Sequence, residues 1–270
     1  ESDIAGHHVS IIGDIDNDGN DDFVITAPKR DFDETTADNG GVYLFYGNAS
    51  GWSGQISLRS ADALFTGDLA GQEASHDVFG LGDINNDGYP DFGVGLKKHN
   101  TPSDSARGGK VYLFFGGATR LSGEASLETA DASLVGTKAY AEAAHVTPAG
   151  DANGDGYDDF IVGAGFHTQI GAEAGKVYLF LGKPTDQWGV DVSMEVAADA
   201  SYLAEAAYDW AGHRVAGVGD VNDDGKDDFI IGAHNVDTED LINNGKVYLI
   251  LGKKNGWQTD VSMSQADASW

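Results

Sequence analysis

The chain has 270 residues, 41% of them hydrophobic, enough to bury a sizeable core, and it carries a formal charge of −28 with no cysteine. Disulfides and thiol chemistry are therefore excluded, and the acidity argues against nucleic acid and anionic membranes as partners. No run of eighteen or more apolar residues occurs, so no membrane insertion is expected.

From the start of the chain, Glu1 to Ile4 holds no basic and apolar leader, so an exported form is expected to have lost its signal or to carry it outside this sequence. A short apolar strand then runs into a nine-residue acidic loop. Asp14, Asp16, Asp18 and Asp22 take its positions 1, 3, 5 and 9, with Gly19 at position 6 and Asn20 at position 7. The loop returns as Asp83, Asn85, Asp87 and Asp91 with Gly88 and Tyr89, then as Asp151, Asn153, Asp155 and Asp159 with Gly156 and Tyr157. Its last copy is Asp220, Asn222, Asp224 and Asp228 with Gly225 and Lys226. Alternate residues of a tight loop converge their oxygens on one centre, and the glycine permits the sharp turn. Oxygen donors in that number suit calcium rather than zinc or copper. Position 7 varies in side chain, as expected of a residue that lends only its carbonyl. The reading is four calcium sites. Their ions would bring the net charge to about −20, and without them the carboxylates of each loop repel.

The loops begin 69, 68 and 69 residues apart, which makes the chain a single domain of four repeats, about 1–68, 69–136, 137–204 and 205–270. Each repeat reads as four strands. The first ends at the acidic loop, as Val215 to Val218 does, and the second leaves it, as Asp228 to Ile231 does. The third is a Val-Tyr-Leu segment at 42–44, 111–113, 177–179 and 247–249. The fourth is expected from around Val192 to the Ala-Asp-Ala marker at 198–200, with counterparts at 61–63, 130–132 and 266–268. Strands two and three are apolar on both faces, so each sheet must be sandwiched between neighbours, as radially stacked blades are. An EF-hand would need an acidic ligand at position 12, where this chain has Ile25, Val94, Val162 and Ile231.

The pattern resembles the FG-GAP repeat of integrin α subunits and of many secreted microbial proteins. A glycine precedes the first loop aspartate, Phe-Ile-Ile-Gly-Ala follows the loop at 229–233, and Gly-Lys-Val-Tyr-Leu follows at 245–249. The resemblance implies an all-β propeller with calcium in the hairpin between the first two strands of each blade and a ligand on the opposite face. That family usually has seven blades, whereas four repeats stand here. Three arrangements stay open: a part of a longer propeller, a ring of four, or two half-rings that self-associate.

Other features admit two readings each. His7, His76, His145 and His213 recur shortly before the loops, either ringing a channel mouth that binds an anion or metal, or bonding between blades. Trp52, Trp188 and Trp257 either stack on sugar rings or fill gaps between strands. The insertions joining strands two and three carry Lys29, Arg30, Lys97, Lys98 and His99, which would meet a carboxylate-bearing partner or stay solvated. Asn48 and Ser50 fit a glycosylation acceptor. No nucleophile elbow, zinc-protease helix or P-loop occurs, so no catalytic residue is assigned. The expectation is a secreted or cell-surface calcium-binding adhesion module for a protein or glycan ligand. Its alternative is a scaffold for a polysaccharide- or lipid-acting enzyme.

Overall fold

The computed structural model describes residues 3–31, 38–67, 77–100, 106–237 and 242–270. Each repeat builds one antiparallel blade in up-and-down order. The first holds β1 (Val9–Gly13), β2 (Asp22–Ala27), β3 (Gly41–Phe45) and β4 (Ala63–Thr66). In the second come β5 (Asp77–Gly82), β6 (Asp91–Leu96), β7 (Lys110–Phe114), β8 (Gly123–Ser126) and β9 (Ala132–Val135). The third has β10 (His145–Gly150), β11 (Asp159–Ala164), β12 (Lys176–Phe180), β13 (Val192–Ser193) and β14 (Ala200–Leu203). The fourth has β15 (Arg214–Gly219), β16 (Asp228–Ala233), β17 (Lys246–Ile250), β18 (Val261–Ser262) and β19 (Ala268–Ser269). The architecture is the expected all-β, propeller-like stack of blades.

The outer strand differs from expectation. The stretch around Val192 does not run on into it: β13 pairs in parallel with β9 of the blade before, and the short helix α1 (Met194–Ala197) intervenes. The fourth strand of that blade starts only at Ala200, after the marker aspartate. The reason is visible at the marker itself, where the Asp199 carboxylate accepts the Leu181 N–H at 2.9 Å and turns the chain into β14. Asp62, Asp131 and Asp267 do the same for Tyr46, Phe115 and Leu251. In the same manner β8 pairs with β4 and β18 with β14, so each blade lends a strand to its predecessor's edge.

The inner strands lie side by side in the order β1, β5, β10, β15. Three apolar seams fill the space between successive blades. Val42, Leu44 and Phe65 of the first blade meet Phe92, Tyr112 and Phe114 of the second. Val111, Leu113 and Leu134 meet Phe160, Tyr178 and Met194 in the next seam, and Leu179 and Tyr202 meet Phe229 and Tyr248 in the last. Hence every residue of β6, β7, β11 and β12 is buried. Each large side chain so enclosed stabilises by about 2–3 kcal/mol.

Candidate metal centres

Each acidic loop is the hairpin between the first two strands of its blade, and all four fold alike. The position-1 carboxylate accepts the N–H groups of positions 5 and 6. The bonds are 2.9 and 2.7 Å at Asp14, 3.1 and 2.8 Å at Asp83, 3.0 and 2.8 Å at Asp151, and 3.1 and 2.7 Å at Asp220. The position-5 carboxylates of Asp18, Asp87, Asp155 and Asp224 accept the N–H of Asn20, Tyr89, Tyr157 and Lys226. Positions 4 and 6 both sit in the left-handed region, at φ 56° and 94° in the first loop. That explains a detail the sequence pattern passed over: position 4 is Asn17, Asn86, Gly154 and Asp223, the residue types that tolerate such a backbone.

Position 9 has a second role that spacing alone did not reveal. The fully buried Asp22, Asp91, Asp159 and Asp228 each accept the position-2 N–H on one oxygen. The other oxygen takes the N–H of Gly47, Gly116, Gly182 or Gly252, just past the third strand. Each therefore clasps the loop to its own blade and keeps a lone pair on each oxygen for a cation. Burial pushes the Asp22 carboxyl up to about 6, and Asp91 and Asp159 up to about 8.

Do these residues fit a divalent ion? The donor set is all oxygen, and ligand atoms of Asp14, Asp16 and Asp18 lie within 4.8 Å of one another. In the third loop the Asn153 amide donates to Asp155 at 2.9 Å, which leaves its Oδ1 buried and without a partner. An orphaned acceptor beside two carboxylates is satisfied by a hard cation. They fit. Two loops also attract cations from the protein. Arg120, from the second blade, bonds Asp16 through Nε and Asp18 at 2.5 Å, with its guanidinium over the Tyr46 ring. Lys226 reaches Asp224 Oδ1 at 3.1 Å within its own loop.

The loops are also tied across the seams. Asp158 caps the N–H of Asp83 at 2.8 Å, and Asp227 caps that of Asp151 at 2.9 Å. In the first seam Pro90 takes the corresponding place against Gly13.

His7, His145 and His213 stand at the far ends of the inner strands from the loops. His145 Nδ1 is 3.1 Å from Asp77 of the preceding blade, and Lys97 Nζ is 3.9 Å from the same carboxylate. His213 packs edge-on to His234 at 4.9 Å and near Trp210. Burial, then the charges of Arg214, His234, Lys97 and His145, pushes its imidazole down to about 4. His7 is exposed, and His76 lies outside the described residues. Trp188 stacks on Phe160 at 5.8 Å and donates to the Lys183 carbonyl, while Trp257 packs into the last seam. Trp52 stands edge-on to Phe23 and Phe45 on the outer flank of the first blade.

The FG-GAP repeat model matches residues 5–45, 144–180 and 211–250. Integrin alpha-6 of Gallus gallus is 32% identical over 164 residues, 59% of this chain and 13% of that protein. Integrin alpha-IIb of Mus musculus is 30% identical over 156 residues, 56% of this chain and 14% of that protein. The phosphatidylinositol-glycan-specific phospholipase D of Bos taurus is 35% identical over 107 residues, 39% of this chain and 13% of that protein. The chain thus spans about a seventh or less of the length of these curated relatives. No helix among the described residues is long and apolar enough to cross a membrane.

Proposed function

We propose that this chain, which carries FG-GAP repeats and is similar to integrin α subunits, is a calcium-stabilised propeller module that binds a protein or glycan ligand outside the cell. One observation carries the metal part: four hairpins close on all-oxygen donor sets, and in the third the Asn153 Oδ1 is buried with nothing to accept from. Position-1, -3 and -5 side chains, the position-7 carbonyl and position 9 would hold each ion. Bound there, calcium cancels carboxylate repulsion and fixes the bend between two strands. The loops are closed by their own backbone bonds, which suits a structural ion. Extracellular calcium is plentiful enough for cages of this affinity class.

The ligand face in this reading is the one away from the loops. There Lys97, His145, His213 and Arg214 lie near one another in an otherwise acidic molecule, with Lys97 and His145 on the Asp77 carboxylate. Such a group favours a carboxylate-bearing ligand, an acidic glycan or an acidic protein surface. Binding to an array of acidic glycans and to surface-displayed proteins, with calcium and with chelator, tests this. Arg214→Glu should abolish the signal while leaving calcium uptake intact, and binding indifferent to that change would refute the assignment of the face.

A second reading is favoured by the match to phosphatidylinositol-glycan-specific phospholipase D: the chain as scaffold of a larger lipid- or polysaccharide-acting enzyme. Turnover of such substrates by the protein that contains this chain would decide for it.

A further inference from the structure

We propose that the hollow between the third acidic loop and the fourth blade is a binding site for a neutral, hydroxyl-rich ligand, a saccharide unit. The site lies beside the loop rather than on the opposite face, so it goes beyond the ligand proposed above and does not depend on it.

The hollow measures about 520 Å³, within the size range of small-molecule sites. It is lined by Asn153, Asp155, Leu181 and Asp199 of the third blade and by Lys254 and Trp257 of the fourth. The first seam has the same parts, and there they are plugged. Gly117 and Lys253 each donate to the position-2 carbonyl of the loop before, Ile15 or Ala152, so the two segments align residue by residue. Three residues on stands Arg120 in the first seam and Gly256 in the third. Arg120 bonds Asp16 and Asp18 and lies over the Tyr46 ring, whose place in the third blade is taken by Leu181. At Gly256 a Cβ would meet nothing within 4 Å. The third seam is open because it lacks the side chain that fills the first.

The second seam is closed in another way. There Trp188 comes five residues after Lys183, behind the 3-10 turn Thr185–Gln187, and its Nε1 donates to the Lys183 carbonyl at 2.9 Å. Trp257 comes only four residues after Lys253. The shorter segment has no such turn, and the buried Trp257 Nε1 has no acceptor.

The orphaned atoms decide the ligand class. Asn153, 6% exposed, has an unpartnered acceptor, and Trp257 has an unpartnered donor. Calcium in the third loop would satisfy the first and do nothing for the second, since an N–H needs a lone pair. A cationic ligand fails the indole for the same reason. An anion would meet the carboxylates of Asp155 and Asp199 in a chain of formal charge −28. A hydroxyl group accepts from the indole and donates to a carboxylate, and neighbouring hydroxyls on one ring can use Asp155, Lys254 and Asn255 in turn. The Lys253 ammonium lies over the indole at 4.7 Å, so the ring offers its polar edge more than its face. Trp257 is only partly buried and follows an exposed turn, so a slight shift of that turn brings the N–H to an occupant.

Titration of the chain, in millimolar calcium, with the methyl glycosides of glucose, galactose, mannose and N-acetylglucosamine tests this, reading the five tryptophan indole N–H signals by nuclear magnetic resonance. At least one glycoside should bind saturably and move the Trp257 signal, identified by its loss in Trp257→Phe, while the other indole signals stay in place. Trp257→Phe keeps an aromatic ring in the seam and should weaken binding about fivefold, the effect of one lost hydrogen bond. Gly256→Asn adds a side chain to the lining, and asparagine tolerates the left-handed backbone there (φ 83°). It should weaken binding as well, and it carries the test if Trp257→Phe does not fold. A protein that takes none of the four glycosides overturns the proposal, as does binding that leaves the Trp257 signal in place or is indifferent to both changes. Stability that still rises with calcium in such a protein leaves the functional reading standing.

Discussion

At the scale of single residues, the loops combine two tasks that the sequence shows only in part. Spacing made positions 1, 3, 5 and 6 legible because they recur with the repeat. It was silent on the clasp formed by Asp22, Asp91, Asp159 and Asp228, because their partners at Gly47, Gly116, Gly182 and Gly252 lie a strand away. It was equally silent on Arg120, which comes from another blade to sit on Asp16 and Asp18 and has no counterpart in the other repeats. That guanidinium competes with any cation for the first loop. Arg120→Ala should therefore tighten calcium binding at one site severalfold and leave the others unchanged, as read by calorimetric titration. A uniform change at all sites would contradict the competition.

At the scale of elements, continuous apolar runs located the second and third strands of each blade, since those strands are buried on both faces. The outer strand was misplaced because its position depends on the tie between Asp199 and the Leu181 N–H, which no periodicity records. The sequence shows the lysine that opens the third strand only as part of a repeated segment. Lys176 is in fact buried between blades, 2.8 Å from Glu195 and 2.7 Å from Asp260 of the next blade. Burial opposes the Glu195 charge, yet bonds from His167, Lys176 and Tyr178 hold it well below the usual carboxylate range. Lys176→Ala should cost about 3 kcal/mol in urea unfolding, because two carboxylates lose their shared cation inside a seam. The His213 imidazole makes a pH-dependent contribution of the same sign as Glu195, with burial as its main cause. Its folded pKa of about 4 lies below the unfolded value near 6.5. Between those limits the unfolded chain takes up a proton that the folded chain refuses, so stability falls as pH drops from about 6.5 to about 4. Unfolding curves of His213→Phe across that window should be flatter than those of the wild type.

At the scale of the whole molecule, four similar blades stand in order with three apolar seams between them. The period of the acidic loops gave the number of blades, and the two-faced apolar strands gave their stacking. The loops bear on this scale too, since Asp158 and Asp227 join one loop to the backbone of the next. If the loops take up calcium as proposed, ordering one would stiffen the seam beside it, and uptake at separate sites would act on one connected structure. The most direct test of the account is the thermal unfolding midpoint as free calcium is raised from chelated to millimolar. Occupied sites stabilise by mass action, about 2.7 kcal/mol for each one at a hundredfold excess over its dissociation constant, so the midpoint should climb steadily with the ion. A midpoint that is the same in chelator and in millimolar calcium would contradict it.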